Sequence, residues 1–138
     1  MASVKIHPHP IAVHFSNGLI PVSIFFLFLF FFTRNPHMEI VAFYTLWVGT
    51  LGSALALGTG LFDWKKHYRG AWVPVFKKKL TAGVLAILGG ALACLIRYLH
   101  PGLLLSLSGL SVFYVMLNLF VLACVGIAGY LGGKLVFQ

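Results

Sequence analysis

Charge is what this chain has least of. Its 138 residues include ten basic and only two acidic ones, so that 9% of the chain is charged, whereas a soluble domain carries charge on roughly a quarter of its residues. So few charges cannot clothe a water-soluble fold, and 60% hydrophobic residues with a mean hydropathy of +0.98 require another solvent. Cysteine is almost as scarce. Cys94 and Cys124 fall at different depths of the apolar runs, near the outer and inner thirds of a bilayer, too far apart to bridge. Both are expected as small buried thiols. Several chemical signatures are missing too. There is no His-x3-His or Cys-x2-Cys spacing for a transition metal. There is no glycine-rich phosphate loop, and no Ser/His/Asp set in the contexts where hydrolases place one. No catalytic residue and no metal ligand is assigned.

Four apolar runs are present, each long enough to cross a hydrocarbon core of about 30 Å. The expected fold is an all-α, integral membrane four-helix bundle, one transmembrane domain over residues 1–138, with spans at 11–32, 40–62, 80–99 and 108–131. The first is no cleavable signal peptide, because it is too long and no small-residue cleavage site follows it. His9-Pro10 suits the start of a helix, where proline loses only an N–H without an intrahelical partner. His14, Asn17, Gly18 and Pro21 follow at helical spacing, a strip expected to face neighbouring helices while Phe25 to Phe32 face lipid. Small residues recur at helical spacing in the other spans. Gly49, Gly52, Ser53, Ala54, Ala56, Gly58 and Gly60 lie in the second, Ala82, Ala86, Gly89, Gly90 and Ala93 in the third, and Gly126, Gly129 and Gly133 in the fourth. Such small-xxx-small patterns let helix backbones meet closely in lipid.

The stretch 63–79, expected as a basic loop, holds Asp63, Lys65, Lys66, Arg69, Lys77, Lys78 and Lys79. With Lys5 and Lys134 it places eight basic residues on one side of the membrane, against Arg34 and Arg97 on the other. By the positive-inside rule that side is cytoplasmic and carries both termini, as in a multi-pass protein of the cell inner (plasma) membrane. The partners implied are the lipid bilayer with its anionic inner leaflet, which explains the formal charge of +8 more simply than nucleic acid does, and other membrane subunits or self-association. Trp64, Tyr68 and Trp72 sit at the level of an inner aromatic belt, and Tyr98 at the outer one.

Ionisable groups at membrane depth need partners. His14 and Asp63 fall at similar levels near the inner face, so a hydrogen bond between them, with Asn17 beside it, would form a polar clasp between two helices. The redox alternative is a haem b held by His14 and His67 at the inner face, with His37 and His100 as a second pair at the outer face; a b-type haem needs two imidazoles facing each other across a bundle. Between the faces polarity is sparse. Asn118 stands near the middle of the fourth span, with Ser23, Thr45 and Thr50 as mild companions, so no file of ionisable groups crosses the membrane, and a lone pump or channel is disfavoured.

Three segments carry a resemblance. His9-Pro10-Ile11-Ala12-Val13-His14-Phe15, Gly60-Leu61-Phe62-Asp63 and Gly132-Gly133-Lys134-Leu135-Val136 resemble, in order and placement, the bacterial four-helix membrane family called domain of unknown function 2231. That family usually continues His-Phe-Pro, where this chain has Ser16, and often has a histidine early in the third span, where this chain has Lys79 and Thr81. Some members look to be joined to c-type cytochrome domains, so the resemblance implies a redox setting. Three functions follow: a small integral membrane subunit or scaffold of a membrane assembly, a b-type haem electron-transfer protein, and a small-solute or metal transporter. The charge bias predicts that reporter fusions place both termini in the cytoplasm; a periplasmic C-terminus would refute the orientation.

Overall fold

The computed structural model describes residues 8–67 and 69–136, apart from the side chains of 8–10, 67, 135 and 136. Among the described residues there are four helices and no strand: α1 (Pro8–Thr33), α2 (Pro36–His67), α3 (Pro74–Leu99) and α4 (Gly109–Val136). All four are long and apolar enough to cross a membrane. Local chemistry sets their ends. Arg34 takes the left-handed conformation, φ 54°, and its N–H donates to the Phe30 carbonyl at 2.8 Å, which stops α1. Asn35 then caps α2, its Oδ1 accepting the His37 N–H at 3.0 Å, and Pro36 occupies the first helical position. So tight a turn makes α1 and α2 antiparallel. Pro74 opens α3 after extended Val73. Ser108 and Ser111 open α4 by exchanging backbone-to-hydroxyl bonds of 3.2 and 2.8 Å, a capping box built from two serines.

The basic stretch is mostly helix rather than the expected loop over 63–79. At 32 residues α2 is about 48 Å long by helix rise, well beyond the hydrocarbon thickness, and α3 begins at Pro74. Hydropathy marks where lipid ends, whereas a helix runs on until its backbone is capped. Trp64 pins the short connection that remains. Its ring stacks on Phe76 at 5.0 Å and 8°, meets Trp72 edge-on at 4.7 Å, and its Nε1–H donates to the Ala71 carbonyl at 2.8 Å. Trp64 is therefore buried in this turn rather than displayed in a belt, while Trp72 is exposed; Tyr68 lies outside the described residues.

The helices form a ring in chain order, α1 against α2, α2 against α3, α3 against α4 and α4 back against α1, with the first and third of these seams the most extensive. Each seam has a glycine pressed against its neighbouring helix. A Cβ on Gly49 would stand 2.8 Å from Ile20 Cγ1 between α1 and α2, and one on Gly89 would stand 2.9 Å from Val121 Cγ2 between α3 and α4. One on Gly90 would collide with the Thr50 side chain between α2 and α3, and one on Gly129 would lie 2.8 Å from the Asn17 Nδ2 between α4 and α1. Close backbone approach maximises dispersion contacts where lipid provides no hydrophobic drive between helices. Gly58, by contrast, is exposed and a Cβ there meets nothing.

Of the strip expected on the first helix, only Asn17 packs against a neighbouring helix, α4. His14, Gly18 and Pro21 are exposed, and the stripe that packs inward is Ser16, Ile20, Ser23, Leu27 and Phe30. The phenylalanine run is accordingly divided: Phe25, Phe28 and Phe32 point out, and Phe30 is buried in a cluster with Leu27, Ala42, Leu46, Ala93 and Tyr114. α1 is apolar nearly all round, so its own pattern does not select a buried face; the seams with α2 and α4 do. Leu103 and Leu104, from the connection between α3 and α4, close this cluster from its end. Cys94 and Cys124 are buried free thiols. Gly49→Leu and Gly90→Leu should lower the thermal stability of the purified protein strongly, while Gly58→Leu should leave it nearly unchanged. Phe30→Ala should cost about 3 kcal/mol or more, and Phe28→Ala little; equal melting temperatures across the set would show that these faces are misplaced.

Candidate functional site

The two acidic residues lie at opposite ends of the bundle, and each is matched with a cation from α3. At the end where α2 begins, Glu39 accepts a bidentate pair of hydrogen bonds from Arg97. Nη2 donates to Oε2 at 2.6 Å, and Nε donates to Oε1. Both side chains are largely shielded, 9% and 13% exposed. Glu39 stands in the first turn of α2 and Arg97 in the last turn of α3, so each charge also complements the dipole of its helix. The Arg97 guanidinium lies over the Phe43 ring at 5.5 Å. The bond ties α2 to α3 at their ends, and Arg97, Glu39 and the α3–α4 connection enclose a small cleft.

At the other end, hereafter the basic end, Asp63 interacts electrostatically with Lys79 at the start of α3. The Lys79 Nζ lies against α4, 3.4 Å from where a Cβ on Gly132 would be. Asn17 of α1 presses its amide on Gly129, one helical turn away on the same face of α4. The glycines open a groove in α4 into which polar side chains from two other helices reach.

The histidines are less gathered than the sequence-based reading expects. His14 is exposed on α1 and makes no hydrogen bond among the described residues, so it does not meet Asp63 in a clasp there; Asp63 interacts electrostatically with Lys79. Asn17 does lie at this end, but against α4. His37 and His100 are both exposed at the Glu39 end, in the first turn of α2 and at the C-cap of α3. The side chain of His67 lies outside the described residues. No group of three His, Cys, Asp or Glu able to hold a metal occurs among the described residues.

Within the bundle, polar side chains serve the backbone. The Ser23 hydroxyl crosses from α1 to donate to the Ala42 carbonyl of α2 at 2.7 Å. Thr50, Ser53 and Asn118 donate to carbonyls four residues earlier in their own helices. Among the described residues, no fully buried side-chain nitrogen or oxygen lacks a partner. Glu39, Arg97 and Lys79 are the residues that sequence reasoning overlooked: Glu39 falls just outside the span 40–62, and Arg97 and Lys79 enter as charges counted on each side. The available signal was arithmetic: with only two carboxylates in so apolar a chain, each had to find a cation.

Four membrane-length helices with satisfied interiors and ionisable groups kept to the two ends define a multi-pass integral membrane protein. The chain belongs to the family described as "Predicted membrane protein (DUF2231)", whose model matches residues 6–138. No curated protein and no solved structure matches the chain.

Removing one member of the buried ion pair should expose its worth. Glu39→Gln or Arg97→Met alone should cost about 3 kcal/mol by leaving a shielded charge unpaired, and the double variant should cost clearly less. A double-mutant cycle of thermal or denaturant stability in detergent reads the coupling; a value below about 0.5 kcal/mol would mean that the pair holds nothing.

Proposed function

We propose that the protein is a small integral membrane subunit or scaffold that packs against other membrane components of a larger assembly in the cell inner membrane. The observation that carries this is the contrast between its two sets of glycines. Gly49, Gly89, Gly90 and Gly129 are consumed in the internal seams, whereas Gly18, Gly58 and Gly126 lie on outward helix faces with open space above them. Open small residues on a lipid-facing surface are where a further helix gains dispersion contact. The sparse interior polarity, bonded to backbone carbonyls, supports this reading over transport by a single copy, since a transport path needs polar groups free to exchange their partners. The basic residues at the Asp63 end support an orientation with that end at the anionic cytoplasmic leaflet.

The redox reading asks two imidazoles to face one haem b. His14, His37 and His100 are exposed, so within the described residues they would present their rings outward, toward a partner in the assembly, rather than across the chain's own interior; nothing on α1 to α4 supports a haem enclosed by those three. Extraction of native membranes in mild detergent tests both readings on one sample. The chain should migrate in a complex well above its 15.1 kDa monomer mass, Gly58→Leu and Gly126→Leu should release it without lowering its own melting temperature, and the visible spectrum reports any haem through a Soret band. Migration as a monomer in every preparation would overturn the proposal.

A further inference from the structure

Arg97 has more hydrogen-bonding capacity than Glu39 uses. A guanidinium carries five N–H donors, of which the bidentate bond takes one on Nε and one on Nη2. Phe43 covers a flat face and accepts none of the in-plane donors. The Nη1 donors have no partner among the described residues. Because no fully buried side-chain nitrogen or oxygen there goes unpartnered, they reach accessible space. Arg97 lines a cleft of about 220 Å³, walled by Phe30, Ile40, Leu104 and Leu105 and edged by Pro36 and Pro101.

The chemistry of this cleft selects its ligand. The walls are apolar, and the polar lining is Arg97, which has donors to spare, with the Glu39 carboxylate that holds it in place. Glu39 and Arg97 together carry no net charge, so the cleft offers an anion only the pair's dipole against the cost of its desolvation. A neutral carbonyl oxygen meets no such opposition and accepts from Nη1. The volume is below the roughly 300–1,000 Å³ that encloses a drug-sized molecule, which leaves room for one polar head with its tail lying along the lipid-facing side. Arg97 is in the last turn of α3, close to the membrane boundary, where the carbonyl region of amphiphiles lies.

We propose that this cleft binds the carbonyl head of a neutral amphiphile, with Arg97 as the hydrogen-bond donor and Glu39 as the positioning residue that fixes the guanidinium. Two sources supply that chemistry, the ester of a neutral glycerolipid and the ring carbonyl of a quinone. The proposal stands independently of the scaffold role. The test uses the full chain in detergent with ¹⁵N-labelled arginine, following the Arg97 side-chain resonances during titration with a short-chain diacylglycerol, its diether analogue, a short-tailed benzoquinone and an alkyl phosphate. Saturable shifts with diacylglycerol, and at least about tenfold weaker binding of the diether, assign the site to a lipid ester; the same behaviour with benzoquinone alone assigns it to a quinone. Leu105→Trp, which adds bulk to the cleft from an exposed position and removes neither member of the ion pair, should weaken either by at least about tenfold at unchanged melting temperature. Equal binding of ester and diether, strongest binding of the alkyl phosphate, no saturable shift with either carbonyl compound, or indifference to Leu105→Trp would each overturn the proposal.

Discussion

Helices in a bilayer gain nothing by hiding apolar side chains from one another, because lipid tails are as apolar as leucine. What holds this bundle together must therefore be close contact, and close contact requires the absence of side chains where helices cross. Gly49, Gly89, Gly90 and Gly129 provide that absence, one for each seam of the ring. The rest of the structure depends on it. With backbones this near, Ser23 reaches a carbonyl on α2, Asn17 and Lys79 reach α4, and the larger side chains Phe30, Leu46 and Tyr114 pack together in one core cluster with Leu103 and Leu104.

The polar groups divide by depth. In the middle, hydroxyl and amide groups bond to backbone carbonyls and so add no unsatisfied group to a medium that cannot solvate one. At the ends, where some water and headgroup contact is available, the chain places its charges in pairs between helices: Glu39 with Arg97, and Asp63 with Lys79. Three other cations lie over aromatic rings, Arg34 over Phe31, Lys66 over Phe62 and Lys134 over Tyr130, a geometry that lets their apolar stems stay near lipid while the heads reach the surface. The functional readings follow from this division. An interior with its polar groups occupied suits a structural subunit, and an end with a guanidinium only partly consumed suits a ligand.

How much of this was legible beforehand can be judged residue by residue. The four spans, the all-helical class, the family and the two unbridged buried cysteines could all be read from the chain, since each depends on composition over a long window or on short motifs in order. The clasp at the basic end was half legible. Asp63 needed a partner, and that necessity is electrostatic, but whether His14 or Lys79 comes near it depends on which way each helix is rotated. The Glu39 and Arg97 pair was legible only as a demand, because 58 residues separate its members and neither has a local motif.

Sequence by itself determined what lipid determines: the length and hydropathy of the spans, the asymmetry of charge between the two ends, and the supply of small residues for packing. Tertiary structure alone decided which face of each helix is inside. A helix such as α1, apolar nearly all round, has little preferred side in a solvent as apolar as itself, so Phe30 goes in and His14 goes out through contacts such as Ile20 over Gly49 and Ser23 on the Ala42 carbonyl. That rotation carries His14 away from Asp63, and the seating of α3 against α2 and α4 brings Lys79 and Arg97 to the carboxylates, because rotation and register in lipid are fixed by steric fit between neighbours, which no single helix encodes.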